Sequence, residues 1–414
     1  MLRLRGLDLA QGRPMIADTT APIVVETWCN EWSQLDFLLH TVAFAAREVL
    51  AGSLVARRRA GRMIPKPLFG ARALADWVFA RGSPQRRIPA HRWRATWHAW
   101  WFEHHWHTEE SRLARLPLPA DPLFITGLWR SGTTAMHELL HAASGWPTPL
   151  TWQCFNPSTC FLTGPPREDA SVSRPMDRGR IAALGAQEDE FALLLLGEPS
   201  VYRGFIDPRR LRASGEQLWQ QQEGELARWQ HFLRGIAAAS PGARLLLKSP
   251  SHSFRLPLLC RLFPRAQFVW IGRHTGEVLA SNVRMWRAMC EQYALWDCPS
   301  DQLEDFLRDM LRACVGALEW CLGNLSRERL LWVDFETLRG DPRTVLLTVA
   351  RFTTRSADTS ALGRWESAID RAVNKVPVQC GQRSQVLAGL DVRKLESIMA
   401  VVRERYGIAL TDTQ

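Results

Sequence analysis

Four short apolar runs in the middle of the chain, Leu123 to Leu128, Arg244 to Leu247, Phe268 to Ile271 and Leu330 to Val333, stand out from longer stretches whose apolar residues recur at helical spacing. A strand covered on both faces reads as a continuous apolar run, whereas a half-buried helix repeats its apolar positions every three or four residues. Runs of the first kind separated by stretches of the second predict an α/β fold, a doubly wound parallel sheet with flanking helices. Residues 1 to about 120 carry helical spacing too, interrupted by a basic run from Arg57 to Arg62 and a proline joint at Pro65 and Pro67. Beyond about residue 355 the chain is polar and irregular before a last helix expected near Val392 to Tyr406. Three parts are therefore expected: a mainly helical N-terminal accessory region over 1–120, a core over 121–355, and a C-terminal lid or helix over 356–414 that packs on the core.

Composition narrows the picture a little. With 46% hydrophobic and 23% charged residues, the 414-residue chain can bury a large core and is too balanced for general disorder. A net charge of +10 favours anionic ligands without naming them. Only Lys66, Lys248, Lys375 and Lys394 are lysines among 52 basic residues, so a lysine at a strand end stands out. The nine cysteines show no C-x-x-C pair and read as reduced thiols, which makes the cytoplasm the expected location. No leader segment is expected at the N-terminus, and the longest apolar stretch, Leu35 to Leu50, contains Asp36, His40, Arg47 and Glu48. It is expected as a buried or interfacial helix, with no transmembrane span.

The chemistry begins at Phe124-Ile-Thr-Gly-Leu-Trp-Arg-Ser-Gly-Thr-Thr134, an apolar strand, a turn with Gly127 and Gly132, and a helix opening at Ala135. Amides of such a turn and the positive end of the following helix form a cradle for a phosphate. The glycine spacing is that of a Walker A loop, which makes the expected sheet P-loop-type. However, Thr133 stands at the lysine position, while Thr134 keeps the hydroxyl. A tight turn needing glycines only for geometry has no use for Arg130, Ser131, Thr133 and Thr134 as added donors.

Arg130-Ser-Gly-Thr-Thr134 after a strand resembles the 5′-phosphosulfate loop of sulfotransferases that use 3′-phosphoadenosine 5′-phosphosulfate (PAPS), in particular the bacterial and tyrosylprotein branches. Two further blocks follow in the family's order. Leu245-Leu-Leu-Lys-Ser-Pro-Ser-His252 is similar to the strand whose terminal lysine, here Lys248, contacts the transferring sulfuryl group. Phe268 to Ser281 looks like the 3′-phosphate signature, with Arg273 at a strand end and Ser281 eight residues later. Two helical turns bring a short hydroxyl back toward the strand end, where an arginine fork can grip the same phosphate. The stretches Gln187 to Leu193 and Asp334 to Pro342 are also similar to the bacterial branch.

The resemblance implies a sulfotransferase core that moves a sulfuryl group from PAPS to a hydroxyl, giving 3′-phosphoadenosine 5′-phosphate (PAP) and a sulfate ester. Lys248, Arg130 and the loop amides are expected to meet charge on the leaving oxygen, with Ser131, Gly132, Thr133 and Thr134 holding the 5′-phosphate. A general base is harder to place. Tyrosylprotein-type enzymes carry a glutamate about twenty residues after the loop, where this chain offers Gln153, which cannot act as a base. Glu188 or Glu190 is the first expectation and His252 the second. No metal is expected; His104, His105 and His107 lack the company of a zinc site. The alternatives are a Mg²⁺-dependent kinase or NTPase, with Asp334 as an imitation of a metal-holding aspartate, and a non-catalytic nucleotide-binding relative.

The Trp- and His-rich stretch His91 to His107 places Trp93, Trp97, Trp100 and Trp101 on about one helical face. Core packing, an aromatic wall for a hydrophobic acceptor, and a membrane-touching surface all fit it. The acceptor is expected to be a small-molecule, lipid or carbohydrate hydroxyl. Nucleic acid is not an expected partner, because no finger, helix-turn-helix or RNA-binding signature is present.

Overall fold

The computed structural model describes residues 109–354 except 167–168, 170, 175–178 and 220–225, together with 359–376, 378, 392–408 and two short strands near the N-terminus. The chain divides into two compact units, Met1–Gly61 and Arg62–Gln414. In the first, β1 (Leu7–Asp8) pairs antiparallel with β2 (Arg13–Pro14). The expected N-terminal helices, the Arg57 to Arg62 run and the Trp/His-rich stretch lie outside the described residues.

The second unit is built on a four-stranded parallel sheet. Its strands β3 (Leu123–Thr126), β6 (Leu246–Lys248), β7 (Gln267–Gly272) and β8 (Leu330–Asp334) lie in the order β6-β3-β7-β8. The short pair β4 (Ser171–Ser173) and β5 (Arg180–Ala182) stands apart from it. All four expected strands form where the apolar runs placed them. The turn after β3 leads into α1 (Thr133–Ser144), followed by α2 (Glu190–Leu195), α3 (Leu211–Trp219), α4 (Ala227–Ala238), α5 (Leu256–Leu262), α6 (Thr275–Tyr293) and α7 (Ser300–Asn324). The later helices are α8 (Phe335–Gly340), α9 (Pro342–Thr353), α10 (Thr359–Lys375) and α11 (Arg393–Tyr406). A helix over Thr359–Lys375 departs from the irregular segment expected there.

Side chains alternate across a strand, and the two faces of the sheet feed two separate cores. Phe124, Leu247, Phe268, Trp270 and Trp332 join one with Trp229, Trp286 and Phe306 from the helices. Leu123, Ile125, Val269, Ile271 and Val333 join the other with Met136, Leu140, Leu346 and Ile369. The register Phe124↔Phe268↔Leu330 keeps like-facing residues aligned across three strands. At the sheet edge, the Tyr406 hydroxyl of α11 reaches the carbonyls of Cys321 (3.0 Å) and Leu325 (2.9 Å). No helix among the described residues is long and apolar enough to cross a membrane.

In a parallel sheet every strand ends on the same side, and ligands gather there where successive strands depart in opposite directions. That point lies between β3 and β7, because β6 sits on the far side of β3. The loop after β3, the end of β6 and the loop after β7 carry Arg130, Lys248 and Arg273 to this one edge.

Candidate active site

The loop after β3 depends on its two glycines. Gly127 has φ +130°, and a Cβ there would come within 2.5 Å of the Ile271 carbonyl. Gly132 has φ +107°, and a Cβ would meet the Phe335 ring at 2.2 Å. Arg130 lies between them at φ +71°, a left-handed conformation that costs a residue with a side chain about 1–2 kcal/mol. Tertiary contacts hold it there. The Gly127 amide donates to Ser253 Oγ (2.7 Å), and Asn282 Nδ2 donates to the Trp129 carbonyl (2.7 Å). Arg273 Nη1 donates to the Arg130 carbonyl (3.3 Å).

This folding brings the expected anion-binding residues together. Arg130 Nε donates to Ser281 Oγ at 3.0 Å across 151 residues of sequence. Arg273 also pairs with Glu277 (2.8 Å) and lies over the Phe335 ring, 4.5 Å from its centroid. Helix α1 has Gly132 as its N-cap, with no side-chain cap and no acidic residue in its first turn, so no side chain of its own claims its leading amides. Ser131 Oγ is buried and has no hydrogen-bond partner among the described residues. Thr133 is buried beside it.

The Lys248 side chain, only 2% exposed, ends β6 with its ammonium 2.6 Å from Glu188 Oε1 and 3.3 Å from Thr134 Oγ1. An ammonium so deeply buried needs a carboxylate partner. The other oxygen of Glu188 accepts a hydrogen bond from the Tyr202 hydroxyl, which in turn accepts one from Trp129 Nε1 at 2.9 Å. Burial, followed by the Glu188 carboxylate, pushes the Tyr202 phenol well above its ordinary value, so it stays protonated as a donor.

The three consecutive acids point to different places. Glu188 faces Lys248. Asp189 lies in the core, within 2.9 Å of His252 Nε2 and accepting from Trp229 Nε1 at 2.9 Å. Glu190 forms a two-pronged pair with Arg255 (2.5 and 3.0 Å) and accepts from Ser200 Oγ (2.6 Å). His252 is wholly buried between the Phe124 and Trp229 rings. Thus Glu188 joins the loop, while Glu190 and His252 belong to a buried platform beneath it. Gln153 Oε1 accepts from the Leu150 amide (2.8 Å) and closes a local turn. Asp334 is engaged by Arg403 (2.9 Å) and Trp332 Nε1 (3.1 Å) on the edge strand.

Sequence reasoning passed over Trp129, Tyr202, Ser253, Asn282 and His137. The His137 imidazole hydrogen-bonds Thr148 Oγ1 at 2.7 Å; burial, then the Lys248 and His141 charges, hold it well below the usual histidine range. Scarcity was the available signal for Tyr202, one of only three tyrosines in the chain.

An aromatic ladder adjoins Glu188 and runs from half-buried Phe155 and Phe191 to buried Tyr202: Phe155 stacks on Phe191 with 5.0 Å between centroids, and Phe191 meets Tyr202 at 5.0 Å. Segment 149–155, which carries Phe155, is pinned to segment 183–187 by Thr151 N to Gly185 O, Trp152 N to Ala183 O and Gln187 N to Pro149 O.

Comparison with known proteins places this arrangement among others. The model of the sulfotransferase family matches residues 122–358, more than half of the chain. The omega-hydroxy-beta-dihydromenaquinone-9 sulfotransferase Stf3 of Mycobacterium bovis (strain ATCC BAA-935 / AF2122/97) is 30% identical over 240 residues, covering 56% of this chain and 62% of that protein. The match thus spans less than two thirds of that relative's length. Among solved structures, sulfotransferase STF9 from Mycobacterium avium aligns with a TM-score of 0.58 and 18% identity, over 96% of this chain and 99% of that one. Sulfotransferase STF1 from Mycobacterium tuberculosis H37Rv aligns with a TM-score of 0.50 and 17% identity, over 81% and 90%. At these identities the likeness is one of fold.

Proposed function

The chain belongs to the sulfotransferase family, and from that premise we propose that it moves a sulfuryl group from PAPS to the hydroxyl of a lipophilic small molecule, giving PAP and a sulfate ester. The observation that carries this reading is the meeting of Lys248, Glu188 and Thr134 at the mouth of the loop. A cation, a carboxylate and a helix N-terminus there supply the charges that sulfuryl transfer needs on its two sides.

PAPS would supply the sulfuryl group, and the residues present fit its two phosphates. The unpartnered Ser131 hydroxyl, Thr133, Thr134, Gly132 and the uncapped start of α1 would hold the 5′-phosphate. Arg273, Ser281 and the Arg130 side chain resting on Ser281 would hold the 3′-phosphate. The acceptor oxygen bonds to sulfur as the bond from sulfur to the bridging oxygen of the 5′-phosphate breaks. Lys248 meets the charge on that leaving oxygen, and Glu188 takes the acceptor proton. Glu190 and His252 are assigned to support, since their polar atoms are already matched by buried partners.

The lipophilic acceptor rests on the Phe155, Phe191 and Tyr202 ladder beside Glu188, and on the lipid-like acceptor in the name of the Mycobacterium bovis relative. The cytoplasm is the proposed location, with free thiols at Cys154, Cys314 and Cys321 in keeping with a reducing compartment.

Calorimetric titration with PAP, without metal, tests the donor site. Micromolar binding is expected, weakened at least about tenfold in Arg273→Ala, the range for a lost hydrogen bond to a charged group. Mg²⁺-dependent ATP binding with no PAP binding would instead support phosphoryl transfer and overturn the reading. PAP binding without transfer from PAPS to any of a panel of phenols and long-chain alcohols would favour a non-catalytic relative.

A further inference from the structure

One hydrogen-bonded circuit joins elements far apart in sequence. On α6, Ser281 receives Arg130 Nε (3.0 Å), and its neighbour Asn282 donates to the Trp129 carbonyl (2.7 Å). The indole of Trp129 donates to the Tyr202 hydroxyl (2.9 Å), and that hydroxyl donates its only proton to Glu188 Oε2. Glu188 Oε1 then reaches Lys248 (2.6 Å), and Lys248 reaches Thr134, back on the loop's own helix (3.3 Å). The circuit touches the donor loop at Trp129 and Arg130 and the start of its helix at Thr134.

We infer that Tyr202 is a positioning residue that fixes the carboxylate of Glu188 for proton removal and ties it, through Trp129, to the loop that holds the donor. This rests on the proposed role of Glu188 as base.

The direction of each bond supports the assignment. An indole N–H can only donate, so Trp129 obliges the phenol oxygen to accept from it and to turn its own proton outward. The carboxylate of Glu188 is the acceptor that proton finds. With Oε2 held by Tyr202 and Oε1 by Lys248, the carboxylate has no freedom to rotate. A base must lie within hydrogen-bond reach of the proton it takes, so fixing the carboxylate plane acts on the reaction step and not on donor affinity.

The phenol itself is locked in place. Its ring stacks on Phe205 (4.7 Å between centroids), meets Trp286 at 6.4 Å, and is 3% exposed. The Tyr202 amide donates to Ser200 Oγ (3.2 Å), and Ser200 also donates to Glu190. The same short segment thereby anchors both the base and the buried platform beneath it. Tyr202→Phe deletes one oxygen and leaves the ring contacts intact, so it isolates the hydrogen bonds.

The test is a mutant cycle on the full chain with Tyr202→Phe, Glu188→Gln and the double variant. It reads transfer from labelled PAPS to geranylgeraniol and to 2-naphthol, with PAPS hydrolysis as the assay if neither alcohol accepts, and PAP affinity by calorimetry. Tyr202→Phe is expected to lower kcat about 10- to 100-fold, as for a lost hydrogen bond to a charged group. PAP affinity and acceptor KM should stay within about twofold, and the loss should vanish on the Glu188→Gln background. Unchanged kcat in Tyr202→Phe, with Glu188→Gln impaired, overturns the positioning role alone. An equal additional loss in the double variant, or a parallel fall in PAP affinity, also overturns it by marking Tyr202 as a support of the fold. Wild-type kcat in Glu188→Gln overturns the base assignment and the positioning role together.

Discussion

Lys248 ends its strand as one of four lysines in the chain, and its surroundings give a physical reason for that choice. A slender four-carbon stem threads a nearly closed site and delivers a compact charge, where an arginine's wide fork would need more room. The ammonium touches Glu188 and Thr134, so in the proposed reaction it can follow charge that develops on the leaving oxygen. Lys248→Ala is therefore expected to lower kcat by about 10²–10³, with PAP affinity changed only a few-fold; steady-state rates and calorimetry check this. Equal kcat would remove Lys248 from the mechanism. Arg130 shows the same economy in backbone form: its left-handed φ turns the side chain back toward Ser281, away from the path of the chain.

At the scale of elements, α2 rests on charges that never meet solvent. The Arg255 guanidinium, contributed by the turn that leads into α5, pairs with Glu190 at both oxygens, while the His252 imidazole and the Trp229 indole share Asp189. Removing one member of such a pair leaves an unmatched buried charge. Arg255→Met is expected to cost about 3–5 kcal/mol in denaturant unfolding, and Arg255→Met with Glu190→Leu to recover much of that loss. A double variant as unstable as the single one would show that the cost comes from packing and not from charge. For the proposed reaction the platform matters because Glu188 immediately precedes Asp189: the buried pair fixes the chain direction that delivers Glu188 to Lys248.

Across the whole molecule, folding also sets how stability responds to pH. Burial raises the Glu198 carboxyl from 4.5 to about 7 in the folded state, opposed by the Arg228 amide (2.8 Å) and the Arg228 charge. A raised folded value means the folded state binds this proton more tightly. The stabilisation is therefore full below about 4.5 and is lost as pH rises through about 7. Glu198→Gln, which keeps an acceptor for the Arg228 amide, should gain stability relative to the natural chain as pH rises through that window; thermal melts at pH 5 and pH 8 check it. The His137 imidazole acts in the opposite sense. Its lowered folded value gives stability that is present above 6.5 and lost as pH falls below it. The sheet order adds the other large-scale effect: one edge collects loops that follow Thr126, Lys248 and Gly272, far apart in the chain.

The sequence alone determined the strands, because an apolar run bounded by turns can be buried in few other ways, and it marked the loop, because the positive φ at Gly127 and Gly132 is a local demand that glycine meets, although the close approach of Ile271 and Phe335 to them came only with the tertiary fold. Arg273 and Ser281 were legible for the same reason, being one strand end and two helical turns apart. Only tertiary structure separated Glu188 from Asp189 and Glu190, and set His252 in the core and Tyr202 against Glu188. Neighbouring residues entering a helix point in directions about 100° apart, and what selects among those directions is partners 40 to 65 residues distant, Trp229, Lys248, His252 and Arg255.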